Sequence, residues 1–137
     1  MRRVLKEDHH RVLKVANGSE SFYFSLASFV AHKSDCRTKH GAVVVHRGRV
    51  VSTGYNHEHG FDRHASTYLN NHISCHAECD ALRNCPNKQF LRGADLYIVR
   101  INLNSDGLLN SEPCRNCKMV IENYMRRFGL RNVYYSV

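Results

Sequence analysis

The triplet His76-Ala77-Glu78 and the downstream run Pro113-Cys114-Arg115-Asn116-Cys117 hold the side chains best suited to chemistry in this chain. Cys114 and Cys117, spaced C-x-x-C, join the imidazole of His76 as three ligands of the right softness for one zinc ion. Three protein ligands leave a fourth tetrahedral position for water, the arrangement of a catalytic rather than a structural zinc. The thiolates offset the metal's charge, yet the metal still acidifies water enough to give hydroxide near neutral pH. Glu78, two residues beyond His76, is then free to shuttle protons between that water and a substrate. A C-x-x-C alone also fits half a zinc ribbon or a redox pair, and six cysteines and ten histidines offer other fourth ligands. Pro113 argues against those readings. It suits a loop turning into a helix, with Cys114 and Cys117 on one face of the first turn, where the positive end of the dipole favours thiolates.

These side chains need a scaffold, and the pattern supplies one. Ser21 to about Lys33 reads as a helix, with Phe22, Leu26, Phe29 and Val30 at helical spacing and its aromatics expected in the core. Gly41–Val45 and Val50–Gly54 are β-rich runs around Arg47-Gly48, together a hairpin. A loop from Tyr55 to Ser74 follows, long for a compact domain. His76 opens an amphipathic helix with Ala77, Ala81 and Leu82 on its apolar side. Leu96–Arg100 is a third strand, and the turn Asn104–Gly107 leads to Leu108-Leu109, which suggests a small second hairpin. Lys118–Phe128 is a helix with Val120, Ile121, Tyr124, Met125 and Phe128 inward. Gly129 caps it, and Arg131–Tyr135 is a last strand. Helices alternating with strands after a hairpin imply an α/β fold of three layers, α/β/α, on a central mixed sheet of four to five strands.

At 137 residues the chain suits one core: a basic N-terminal segment, 1–20, followed by a catalytic domain, 21–137. The longest apolar stretch, Phe22 to Ala31, is too short for a bilayer and contains two serines, so no membrane partner is expected. Residues 1–8 carry charge without an apolar signal core, which argues against secretion and for a reducing, cytoplasmic setting with free thiols. A net charge of +8 suits a phosphate-bearing partner, nucleotide or nucleic acid, though a generally solvated positive surface gives the same figure.

Together, Gly41–Val45, Gly54-Tyr55-Asn56, Cys75-His76-Ala77-Glu78 and Pro113-Cys114-x-x-Cys117 resemble the cytidine deaminase superfamily, and within it the deoxycytidylate (dCMP) deaminase type. The resemblance runs from about Ser21 onward. It implies that His76, Cys114 and Cys117 bind the catalytic Zn²⁺, and that Glu78 takes a proton from the zinc water, gives it to the ring nitrogen and helps expel ammonia. It also implies that Asn56 bonds the sugar or base, and that the Ala77 N–H meets the base carbonyl. Asn56 has a plainer reading as a residue closing a turn after a strand. Tyr55, which could stack on a base, and Arg115, which could hold a phosphate, are further substrate-binding expectations. The implied reaction converts a cytosine nucleotide, foremost dCMP to dUMP. The alternative is a deaminase editing cytosine or adenine within RNA or single-stranded DNA. Homo-oligomers are usual in the superfamily, so one is expected here.

One departure stands out. His57-Glu58-His59-Gly60 follows Asn56 where many dCMP deaminases have another glycine and a Gly/Pro-containing regulatory loop. The histidines His57, His59, His64 and His72, with Cys36, Cys75, Cys79 and Cys85, leave room for a second, structural zinc of the kind some phage-like relatives hold.

Overall fold

The run Gly41–Val45 becomes the middle of strand β1 (His40–His46), which turns through Arg47-Gly48 into β2 (Arg49–Tyr55). Both turn residues have positive φ, 50° and 78°, the left-handed pair whose twist matches the flanking strands of a tight hairpin. A computed structural model describes residues 18–59, 73–105 and 107–137, so most of the N-terminal segment and the histidines His64 and His72 lie outside the described residues.

Strand β3 (His57–His59) pairs with β4 (Ile73–Cys75) in a two-stranded sheet of its own, where the sequence suggested a long loop, functional or partly structured. Strand β5 (Asp95–Ile101) lies antiparallel against β1. Its other edge is shared by two short strands. β7 (Asn132–Tyr135) runs parallel along Asp95–Ile98, and β6 (Leu108–Leu109) runs antiparallel to Arg100-Ile101. The result is the expected mixed sheet, with five strands.

Glycines set how closely the helices approach. Gly41 faces helix α1 (Gly18–Ala31), where a Cβ would fall 2.0 Å from the Ala27 carbonyl oxygen. Gly54, across from Ala42 and so on the opposite face, abuts helix α2 (Ala77–Asn84), where a Cβ would lie 2.3 Å from the Ala81 nitrogen. Helices thus cover both faces, and helix α3 (Arg115–Phe128) packs beside α2. The three layers meet over a core that includes Val43, Val44, Leu96, Ile98, Val99, Val133 and Ile121.

Because the obstruction at Gly41 is helix backbone, it cannot rotate away. Gly41→Ala should cost about 3 kcal/mol or more in a urea unfolding curve. A loss below about 1 kcal/mol would show that the helix can retreat without consequence.

The inward face of α1 differs from expectation. Phe24, Ala27, Val30 and Ala31 are buried, while Phe22 and Phe29 are 59% and 71% exposed. Apolar residues occur around most of this helix, so spacing alone did not choose the face; the glycine on β1 does, by admitting only small side chains opposite it. Helix α3 begins at Arg115 rather than Lys118, and a single 3-10 turn at Lys88–Leu91, unmarked by any strong periodicity, links α2 to β5.

Candidate active site

His76 and Cys114 are both N-cap residues, of α2 and α3 respectively, and neither side chain caps its own helix. Extended backbone at both positions turns the imidazole and the thiol away from the helix axes and toward each other. The Nδ1 of His76 lies 3.1 Å from the Sγ of Cys117 and 3.7 Å from the Sγ of Cys114, and all three ligand atoms fall within 4.8 Å of one another. A tetrahedral zinc with ordinary Zn–S and Zn–N bonds separates its ligand atoms by about 3.5–3.8 Å, so the donor set fits that ion, with the His76–Cys117 pair a few tenths of an ångström closer than the bound spacing. Cys117, one helical turn into α3, is buried, while His76 and Cys114 face outward, which leaves an open side to the group.

Glu78 sits in the first turn of α2 and is only 5% exposed. Burial drives its pKa up, opposed by its own backbone hydrogen bond, the charge of His76 and a hydrogen bond from Cys117. A carboxyl raised in this way holds and releases a proton closer to neutrality, which is what a proton shuttle requires. The thiol of Cys79, the next residue, lies 3.6 Å from the Sγ of Cys117. That hydrogen bond, then burial and the nearby Glu78, pushes the Cys117 thiol far up. A divalent cation among the three ligands would reverse the balance and favour thiolate.

An open cleft of about 230 Å³ reaches this group, lined by Thr38, His40 and Asn56 on one wall and Ser111 and Glu112 on another, with His76, Ala77, Glu78 and Cys114 completing the lining. Asn56 closes a turn and also lines the cleft. Its Oδ1 accepts the His40 N–H at 2.8 Å and its Nδ2 donates to the Thr38 carbonyl at 2.7 Å, which closes the junction of β1 and β2. Each amide atom keeps one further bonding direction, and the residue lines the cleft. Ser111 is positioned from the sheet: its Oγ donates to the Ile98 carbonyl and its N–H to the Ser136 carbonyl.

Tyr55 and Arg115 are not among the lining residues. Tyr55 pairs across the hairpin with Gly41, on the face of the sheet that α1 covers, and its ring meets His57 edge-on. Arg115 is exposed at the start of α3. His40, Thr38, Ser111 and Glu112 escaped the sequence reading. For His40 a signal existed: it shares the parity of Ala42 and Val44 on β1 and so points to the face that carries α2.

A second group of potential ligands lies nearby. His57 and Cys75 are direct partners in the β3–β4 ladder, and Asp80 comes from α2. The Asp80 Oδ1 is 3.4 Å from the His57 Nε2 and 4.0 Å from the Cys75 Sγ, while its Oδ2 accepts the Tyr55 N–H. Burial is the largest of the causes that push the Cys75 thiol up to about 11. Cys36 and Cys85 belong to no such group among the described residues. Among those residues, no helix is long and apolar enough to cross a membrane.

Known proteins resemble this chain in sequence and in fold. A family model described as the cytidine and deoxycytidylate deaminase zinc-binding region matches residues 17–136. The deoxycytidylate deaminase of Mycobacterium phage D29 is 31% identical over 134 residues, spanning 85% of this chain and 92% of that one. Among solved structures, dCMP deaminase from cyanophage S-TIM5, in complex with dCMP and dUMP, is similar with a TM-score of 0.56 at 23% identity, covering 89% of this chain and 83% of that one. A mutant cytidine deaminase from Mycobacterium tuberculosis is similar with a TM-score of 0.54 at 20% identity, covering 88% of this chain and 84% of its own. These two structures share the fold. The family follows from the match across nearly the whole sequence: the chain belongs to the cytidine and deoxycytidylate deaminases, hydrolytic enzymes with a zinc-binding region.

Proposed function

We propose that the protein deaminates a free cytosine nucleotide, dCMP to dUMP, with water consumed and ammonia released. The observation that carries the reading is the buried Glu78 beside the His76, Cys114 and Cys117 ligand group at a cleft of single-nucleoside size. The 31% identical relative named deoxycytidylate deaminase supports the choice of nucleotide.

Zinc held by His76, Cys114 and Cys117 would supply Lewis-acid activation of water. The chain's own residues do the rest. Glu78 passes a proton to the ring nitrogen next to the amine-bearing carbon, and then to the departing amine. The N–H of Ala77, in the first turn of α2 and without an intrahelical partner, is available to the base carbonyl. Asn56 holds the nucleoside with the bonding directions it has left. Among the described residues no lysine or arginine lines the cleft, and Glu112 there is acidic, which disfavours a polynucleotide backbone tracked along that lining. We assign the substrate's single phosphate to Arg115, which is exposed directly after Cys114.

Product analysis by mass spectrometry tests this reading, with dCMP, CMP, deoxycytidine, a single-stranded oligonucleotide and tRNA offered to the zinc-loaded protein. Conversion of dCMP far ahead of the polymers is expected. Base conversion in the polymers with silent monomers would replace this reading with nucleic-acid editing.

His57, Cys75 and Asp80 support a second, structural zinc that would tie β3 and β4 to α2. His57→Ala should then lower metal content by a single equivalent while leaving deamination in place, as measured by elemental analysis and turnover together. Unchanged metal content would leave these residues as a hydrogen-bonded Asp–His pair.

A further inference from the structure

His40 is the first residue of β1, half-buried, and on the same wall of the cleft as Asn56. Its backbone is held on both sides. The Asn56 Oδ1 accepts its N–H, its carbonyl accepts the Asn56 N–H at 3.4 Å, and Arg100 is its partner across β5. The imidazole therefore leaves a rigid strand end rather than a loop. Neither ring nitrogen is hydrogen-bonded to a described residue, although Asn56, His76 and Glu78 line the same space. An imidazole on a fixed backbone, aimed into a cleft and lacking a protein partner there, is available to a ligand.

The surroundings also select its charge. Burial comes first, then the positive charge of Arg100 and of His76, and together they bring its pKa down to about 4. At neutral pH the ring thus offers one N–H donor and one lone pair. That pair of functions matches a hydroxyl, which also donates and accepts, better than a phosphate, which only accepts and favours a cation.

We propose that His40 is a substrate-contacting residue that holds the sugar of the nucleotide through its imidazole. This rests on the cytosine-nucleotide reading and deepens it. With Asn56 on the same wall, it gives the sugar side of the cleft two neutral hydrogen-bonding groups. The charge-bearing chemistry stays with Glu78 and the ligand group.

Calorimetric binding to zinc-loaded Glu78→Gln protein, which cannot turn over, tests the proposal with dCMP and deoxycytidine as probes. His40→Val, a residue at home in a strand, should weaken both probes by about tenfold, the effect of one lost hydrogen bond to a ligand. His40→Asn, which keeps a donor and an acceptor, should recover part of that loss. In the Glu78 background, the same His40→Val change should raise KM for dCMP with kcat altered far less. If the His40 parent binds neither probe, the nucleotide reading itself fails. If the parent binds and His40→Val binds within twofold, His40 is not a contact. A loss confined to dCMP would move the contact from sugar to phosphate and overturn the proposal as stated. Zinc content equal to the parent's, measured on each variant, ensures that a weaker affinity is not lost metal.

Discussion

Glu78→Ala should lower turnover by at least about a thousandfold while the protein keeps its parent's metal content. The carboxylate is not one of the three ligand atoms that converge, so its removal leaves the imidazole and both thiols in place. What disappears is the group that must take a proton at one moment and give it up at the next. Burial has raised the affinity of this carboxyl for protons, and no other carboxyl among the cleft-lining residues is buried; Glu112 is exposed. Glu78→Gln, nearly identical in shape, should be almost as inactive, which separates proton transfer from packing. Single-turnover kinetics with elemental analysis on the same sample provides the check. Turnover within tenfold of the parent would mean that another group moves the protons. Loss of metal along with activity would mean that Glu78 belongs to the ligand set.

Cys114→Ala should remove one equivalent of zinc and all measurable deamination together. Cys114 is the exposed member of its pair and lies on the open side of the group, and among the described residues no fourth His, Cys or carboxylate converges with the three ligand atoms. Cys79, the nearest spare thiol, is 3.6 Å from Cys117, but it is not among the ligand atoms that converge with Cys114 and His76. An imidazole and one thiolate hold zinc too weakly to survive dilution into a chelating buffer. Cobalt substitution reads the same change by another route: the thiolate-to-metal absorption of the parent should be absent from the variant. Full zinc retention in Cys114→Ala would show that a different residue completes the site.

The candidate ligand group was readable because its residues are local in sequence. An N-cap histidine with a glutamate two residues on, and a C-x-x-C after a proline, each announce a helix start and a ligand at once. The hairpin was readable for the same reason, since Arg47-Gly48 sits between two β-rich runs. The walls of the cleft were not. His40 and Thr38 come from the entry to β1, and Ser111 and Glu112 from the approach to α3, and only the sheet brings the two together. The face of α1 was misread because its apolar residues surround most of the helix, so that Gly41, a residue outside the helix, decides which of them go inward. The β3–β4 pair was missed because three residues per strand are too few for alternation to register.

The buried serines near the end of the chain have a consequence for how the metal would be held. Ser136 gives its N–H to the Ile98 carbonyl and its Oγ–H to the Leu109 carbonyl, and its own carbonyl takes the Ser111 N–H. The approach to Cys114 is thereby clamped to β5. On the other side of the site, α2 is fastened to β2 by the hydrogen bond from the Ser52 Oγ to the Ala81 carbonyl and by the close seat at Gly54. The bite of the ligand set, the span across which His76 faces the two thiols, is therefore gauged by the width of the sheet and not by the metal. An enzyme built this way should keep its far-ultraviolet spectrum when stripped by a chelator and should rebind zinc without refolding, unlike small domains that exist only in the loaded state.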